Sequence, residues 1–444
     1  MGDLTGSTTE LLQQLIRNQC VNDGRPESGE ERRSADTLLS VLEGAGLDIE
    51  IEEPTPGRGS VIARIEGSDP GAPSLCLMGH TDVVPVSPSQ WQRDPFGGEL
   101  VDGEVWGRGA IDMLNLTSAM AVAVRSLADE GFRPRGDLIY VGVADEEAGG
   151  AHGAGWLCDH AWDAVGADAV ITESGGLVMD GPTGRRVSIA VGEKGAAWRT
   201  LRIKGTPGHG SQPWGVDNAL VKTAEVVRRL ADYRPMPVIS ELWRARVEAA
   251  DWDDDLKAAL LDPARLDDAL VQMDLGAAKF AHACTHTTFS PNVVHGGVKT
   301  NVIPDQIDLE VDIRTLPGET ADDVEAHLRA ALGDLANQVE IRGLAWASEA
   351  TASSIDTDLY RVIGEVVDDV HPGATLLPGL IVGGTDARFY RAKGAAAYGF
   401  ALFSPDVKPT DIAFRFHGVD ERIDVESLRY TTEAIIGICR RFLG

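Results

Sequence analysis

Apolar residues recur at helical spacing near the start of the chain, where Leu11, Leu12, Leu15 and Ile16 share one face of a helix expected over residues 9–20. A second helix is expected over 35–43, stopped by Gly44 and Gly46. The pattern then changes to short apolar runs that pass directly into polar residues. Residues 74–79 (SLCLMG) lead into His80, 138–143 (LIYVGV) into Asp145, Glu146 and Glu147, and 167–171 (ADAVI) into Thr172 and Glu173. An Ala/Leu/Val-rich helix is expected between the first two runs, over 113–130. Strands alternating with helices predict an α/β layer with a mostly parallel sheet. In such sheets reactive groups collect beyond the carboxyl ends of the strands, where His80 and these acids fall.

The character changes after Glu193. Residues 196–205 alternate like a strand, 218–233 read as a helix, and 241–280 are helical and acidic. Residues 301–316 alternate again through Val302, Ile307, Leu309, Val311 and Ile313, followed by a helix over 321–335 and a strand over 338–345. This order predicts a separate α+β domain inserted into the first. The α/β pattern resumes with a helix over 354–370, a Gly-rich turn and a strand over 395–402. The expected division is therefore 1–193 and 351–444 as two parts of one domain, with 194–350 inserted. The run 251–255 (DWDDD) reads as a solvated helix start, because acids suit the N-terminal turn.

Composition narrows the function classes. Lys and Arg total 40 against 69 Asp and Glu, a formal charge of −29 that disfavours a nucleic-acid partner. Hydrophobic content of 43% excludes a disordered acidic chain. No run approaches 18 apolar residues, so no membrane span is expected. The N-terminal stretch lacks the basic start and apolar core of a signal peptide, and Gly6 stands where a myristoylation motif needs Ser or Thr. The cysteines, Cys20, Cys76, Cys158, Cys284 and Cys439, are odd in number and scattered, which predicts a reduced, cytoplasmic protein.

The candidate chemistry lies at the strand ends. His80 and Asp82 are two apart on a strand and share a face, so one can ligate a metal while the other fixes the imidazole. Asp112 follows a Gly-rich turn ahead of a helix, where it suits either a site or an N-cap. Glu146 and Glu147 are adjacent and diverge, which divides them naturally into one metal ligand and one general base. Glu173 ends the next strand, and His417 follows an aromatic run near the C-terminus. Two histidines with several carboxylates make a mixed N/O donor set that suits zinc, cobalt or manganese, and a pair of ions bridged by one acid. No HExxH, P-loop, GxGxxG after a strand, or GxSxG is present.

The segments GHTDVVPV, GRGAIDM, ADEEAGG, TESGG and FHGVDERI, in this order, resemble the di-zinc amidohydrolases and peptidases related to glutamate carboxypeptidase, aminoacylase, acetylornithine deacetylase and succinyl-diaminopimelate desuccinylase. The resemblance covers nearly the whole chain. It implies a zinc-peptidase-like mixed sheet flanked by helices, with an inserted α+β lid that carries a homodimer interface. It further implies that His80 and Glu173 hold one ion, Glu147 and His417 the other, and Asp112 bridges them. Asp82 would orient His80, Glu146 would be the general base, and a cis peptide would follow Asp112. His209, in GTPGHGS, would reach a partner subunit's site and stabilise an oxyanion. Asn301 and Arg314 resemble the lid's substrate-binding pair, and Gly383, Gly384 and Thr385 a loop whose N–H groups meet a substrate carboxylate. The implied reaction is hydrolysis of a dipeptide or N-acyl amino acid by a water bridging two ions, with Zn2+ expected and Co2+ or Mn2+ as alternatives. A non-catalytic amino-acid or peptide sensor on the same scaffold is the competing reading. Two departures stand out: Leu114-Asn115 replaces the Lys-Gly of many relatives, and the stretch 235–287 is long and acidic, favouring the carboxypeptidase or aminoacylase-like branch.

Overall fold

The computed structural model describes residues 3–343 and 347–444. A ten-stranded mixed sheet forms one layer of the molecule. Its centre is parallel: Leu138–Val143, Leu75–His80, Ala169–Thr172 and Ala396–Gly399 lie side by side in that order. The flanks are largely antiparallel, through Ser60–Ile65 and Asp48–Glu52 at one side and Gly184–Glu193 at the other. The sheet is therefore mixed, and the expectation of a mostly parallel sheet holds for its centre alone. Those central strands are buried on both faces, which explains their continuous apolar runs. Leu75 and Leu77 pack toward the helices Leu4–Arg17, Leu114–Asp129 and Val425–Phe442, while Cys76 and Met78 pack toward Ala154–His160 and Ala387–Ala392.

One close approach sets the first half of the site. The helix Leu114–Asp129 lies so near the strand Leu75–His80 that a Cβ at Gly79 would stand 2.4 Å from Thr117 Oγ1. Thr117 Oγ1 uses that proximity to donate to the carbonyl of His80 at 2.8 Å.

A second, five-stranded sheet is built from residues between 195 and 343. Its central strand Gln306–Thr315 alternates buried and half-buried positions, with Ile307, Leu309, Val311 and Ile313 beneath the helices Ala219–Asp232 and Ala321–Leu332. The acidic stretch expected as one helical region is four helices, Glu241–Ala249, Asp254–Leu260, Leu266–Leu270 and Leu275–Thr285, around a core of their own that includes Trp243. Ser240, Asp253 and Asp274 cap three of them, so the DWDDD run does start a helix. Of the strand expected over 338–345, Val339–Gly343 is present and the last two residues lie outside the described ones. The Gly-rich turn expected after residue 370 is preceded by a strand, Thr375–Ile381, parallel to Gly184–Glu193. No described helix is long and apolar enough to cross a membrane, and all five cysteines are free and buried.

Candidate two-metal centre

His80 ends its strand in the interior, 1% exposed. Its Nδ1 faces the main-chain carbonyl of Asp82 at 3.0 Å, which leaves Nε2 as the free donor, 3.2 Å from Asp112 Oδ1 and 4.0 Å from Glu173 Oε2. On the other side of Asp112, His417 Nε2 lies 2.8 Å from Oδ2 and 3.4 Å from Glu147 Oε2. Asp112 thus turns one oxygen to each histidine. Two groups of donor atoms result, His80/Asp112/Glu173 and Asp112/Glu147/His417, each contained within 4.8 Å. Ligands about 2 Å from a common ion lie roughly 3–4 Å apart, so both groups have the spread a divalent cation needs. Glu147 Oε1 is buried with no hydrogen-bond partner among the described residues, as expected of an atom reserved for a cation. The donor set fits two divalent ions.

Electrostatics agree with that fit. Burial and then the neighbouring charge of Glu173 push Glu146 well above the ordinary carboxylate range. Glu173 rises for the same reason, burial first and Asp112 next. Burial acts to lower the His80 pKa, but the hydrogen bond to Asp112 and the surrounding acids outweigh it and hold the ring well above its usual value. His417 is raised to about 10 by its bonds to Asp112 and Glu147. Carboxylates packed this densely call for positive charge, and two divalent cations would supply it.

Backbone geometry aims these side chains. Asp145, Ser174 and His417 all have positive φ (71°, 78° and 54°), a region non-glycine residues enter rarely and mostly at sites the surroundings over-determine. The peptide bond Asp112–Met113 is cis. Asp112 is not an N-cap, since Met113 occupies that position and makes no side-chain cap bond.

Asp82 lies against His80, as expected, but its carboxylate also has other partners. It stands 3.6 Å from His80 Nδ1, farther than the main-chain carbonyl of the same residue. Its hydrogen bonds come instead from Glu146 N (3.2 Å), Glu147 N (3.1 Å) and Asn22 Nδ2 (2.9 Å). Asp82 therefore holds His80 with its backbone and the Glu146–Glu147 turn with its side chain.

Other expected residues lie apart from this cluster in their bonding. His209 is exposed in the short strand Gly208–His209, bonded to Ser211 Oγ and paired with Val302–Ile303. Asn301 is its neighbour, accepting from Gly210 N at 2.8 Å. Arg314 donates to Asp312 (2.8 Å) and lies over the Trp198 ring. Gly383 and Gly384 are half-buried, but Thr385 already donates its N–H to the Glu193 carboxylate, so that donor does not face a substrate.

Sequence reasoning missed the supports. Glu421 accepts from Ile111 N (2.7 Å) and Asp112 N (3.1 Å) and pairs with Arg108, which also donates to the carbonyls of His417 and Gly418. One buried ion pair thus fixes the backbones of Asp112 and His417 together. Both residues sat inside quoted motifs, GRGAIDM and FHGVDERI, but no local signal joins residues 313 apart. Asn22, joining Asp82 to Asp145, and Asp386, buried with neither oxygen hydrogen-bonded among the described residues and Arg388 Nη2 3.9 Å from Oδ1, carried no signal at all.

A mixed sheet whose strand ends and adjoining turns deliver two overlapping N/O ligand sets is the arrangement of two-metal hydrolases. The chain belongs to the peptidase family M20/M25/M40, whose model it matches over residues 76–441. Members generally bind two divalent metals, and the protein is a hydrolase of this metallopeptidase and amidohydrolase class. It is 28% identical over 395 residues to the N-fatty-acyl-amino acid synthase/hydrolase PM20D1 of Xenopus tropicalis, covering 87% of this chain and 76% of that one. It is also 28% identical over 417 residues to succinyl-diaminopimelate desuccinylase of Rhodospirillum centenum, 92% of each. Its fold is that of the M20 metallo-carboxypeptidase Sso-CP2 from Sulfolobus solfataricus (TM-score 0.71, 19% identity, 100% and 99% covered). It is likewise that of human carnosine dipeptidase 1 (TM-score 0.67, 16% identity, 99% and 96% covered).

Proposed function

We propose that the protein hydrolyses the amide bond of an N-acyl amino acid or dipeptide that carries a free carboxylate. The observation that carries this reading is Asp112 presenting one oxygen to each of two ligand groups, with Glu146 beside them and in neither. His80, Asp112 and Glu173 would hold one ion and Asp112, Glu147 and His417 the other, with Zn2+ the expected metal. When bound, the ions supply polarisation of the scissile carbonyl and acidify the nucleophilic water. Glu146 takes the proton of that water and returns it to the leaving amine. Its raised proton affinity, set by burial and Glu173, suits a group that both accepts and releases a proton. Residues 194–350 form a lid and homodimer interface in this reading. His209 of a second subunit steadies the developing oxyanion, while Asn301, Arg314 and the Gly383–Gly384 turn grip the substrate carboxylate.

The test is Glu146→Gln. The variant keeps both metal equivalents and loses about 10²–10⁴ in kcat on whichever N-acyl amino acid or dipeptide the wild type cleaves. Turnover near the wild-type rate in a fully metal-loaded Glu146→Gln protein overturns the assignment.

A further inference from the structure

Beside the metal centre lies a cavity of about 230 Å3 whose wall includes Asp112 and Glu173. The rest of the wall is mainly apolar and includes Leu116, Leu177, Phe403, Ile412 and Phe416. Three separate stretches build it: the first turn of the helix Leu114–Asp129, the turn after Thr172, and the segment that follows Gly399. Phe416 also stacks on the His417 ring, with centroids 4.8 Å apart, so the cavity adjoins both ligand groups. Asn115, one of the two residues that depart from the Lys-Gly of many relatives, is in the wall as well.

The chemistry of this wall selects what can enter. No Lys, Arg or His lines the cavity, and two acids do. Asp112 and Glu173 belong to the ligand groups, and the remaining wall offers no cation, so a carboxylate placed there would lose its water without gaining a partner. The carboxylate end of the substrate must therefore lie elsewhere, which leaves the acyl side of the amide for this space. A volume of this size accommodates on the order of seven water-sized groups at about 30 Å3 each. We propose that the cavity is the acyl pocket and that the preferred substrates are N-acyl amino acids with an uncharged acyl chain of roughly six to eight carbons. This rests on the amide-hydrolase reading above and narrows it. Succinyl groups, which bring a second carboxylate, are excluded by the same wall.

A homologous series tests it. The metal-loaded enzyme is assayed on N-acetyl, N-butyryl, N-hexanoyl, N-octanoyl and N-succinyl derivatives of one amino acid. A fully buried methylene is worth about fourfold, so half-efficient burial over the six methylenes from acetyl to octanoyl still gives about 60-fold in kcat/KM. The succinyl compound should fall with acetyl or below it. A flat series, or a succinyl preference, overturns the proposal while leaving amide hydrolysis intact. Leu177→Arg, which sets a cation in the half-buried part of the wall, should raise the succinyl-to-octanoyl ratio at least tenfold; an unchanged ratio in a folded variant counts against the pocket. Failure to cleave any of these compounds or a dipeptide sinks the hydrolase reading instead. The pocket is then judged by calorimetry on Glu146→Gln: N-octanoyl binding tens of times tighter than N-acetyl sustains it, and a difference below threefold overturns it.

Discussion

Replacing Asp82 with Asn separates two ways in which this buried carboxylate can serve the metal centre. The side chain is 0% exposed and accepts from Glu146 N, Glu147 N and Asn22 Nδ2 at 3.2, 3.1 and 2.9 Å. An amide retains one acceptor oxygen. In one orientation its NH2 faces Glu146 N; in the other it faces Glu147 N and Asn22 together. Each bond to a charged acceptor is worth about 1.5–3 kcal/mol, and an N–H left facing another donor adds its desolvation cost. The expected loss of stability is about 2–4 kcal/mol. The main consequence is loosening of the turn that carries Glu146 and Glu147, the proposed general base and ligand, so metal affinity should fall about 10–100-fold. The loss should concentrate at the ion held by Glu147 and His417, and kcat at saturating metal should fall as Glu146 loses its bearing. Calorimetric titration of the apo-protein resolves the two binding events, and steady-state rates at high metal give the second readout. Were Asp82 to act only by orienting His80, the weakened event would be the one involving His80 and Glu173, and kcat at saturating metal would recover. Unchanged affinities with unchanged kcat would refute both.

Other perturbations follow from the same contacts. Glu421→Gln removes the charge that accepts from Ile111 N and Asp112 N, so competition with a chelator should show about 10–100-fold weaker metal binding, although residue 421 belongs to neither ligand group. Lys194 is lowered to about 8 from 10.5, chiefly by burial. The unfolded chain therefore binds more protons between those values, and stability contributed by this group is complete above about 10.5 and lost as pH falls through about 8. The increment is about 3 kcal/mol; urea midpoints against pH should show it in the wild type relative to Lys194→Met, and parallel profiles would contradict it. Burial also raises Cys20 and Cys284 to about 11, so the native protein should leave all five thiols unreactive toward an aromatic disulfide reagent at pH 8 until denaturant is added.

What was readable in the sequence is what local pattern encodes. The apolar runs ending at His80, Val143 and Thr172 are central strands, because burial on both faces leaves an unbroken hydrophobic signature. Gly184–Glu193 begins with GRR and Thr375–Ile381 contains Pro378, so neither carries that signature at its start or middle, and both strands escaped. The acidic region 241–280 declared its helicity but not its breaks, since Asp253 and Asp274 look alike as solvated charges and as caps. At the site, His80, Glu147 and Glu173 were legible because they follow apolar strands and Asp112 because it follows a Gly-rich turn, whereas His417 stood out only through the FHGVDERI resemblance. Their supports were not: Arg108 meets Glu421, and Asn22 meets Asp82, only after the chain has folded.

The junction at Glu193 and Lys194 constrains how a substrate carboxylate is held. Glu193, 0% exposed, accepts from Thr385 N, Thr351 Oγ1 and Arg391 Nη1, tying the Gly-rich loop to the strand that returns from the second sheet. Lys194, the next residue, points its ammonium at the carbonyls of Ala283 and His286 in the helical insert. Adjacent opposite charges thus anchor the chain to different bodies where it leaves the first sheet, so relative motion there would break buried, charged bonds. Thr385 N–H is committed to this junction, so in the proposed reading the Gly383 and Gly384 amides and Arg314 are the donors that remain for a substrate carboxylate. Arg314 is held by Asp312 at 2.8 Å. Under the proposed role of Arg314, engaging substrate would mean exchanging one carboxylate for another at the same guanidinium. Because both are charged acceptors of similar geometry, that exchange costs little net free energy, and it frees Asp312 at the moment the substrate arrives.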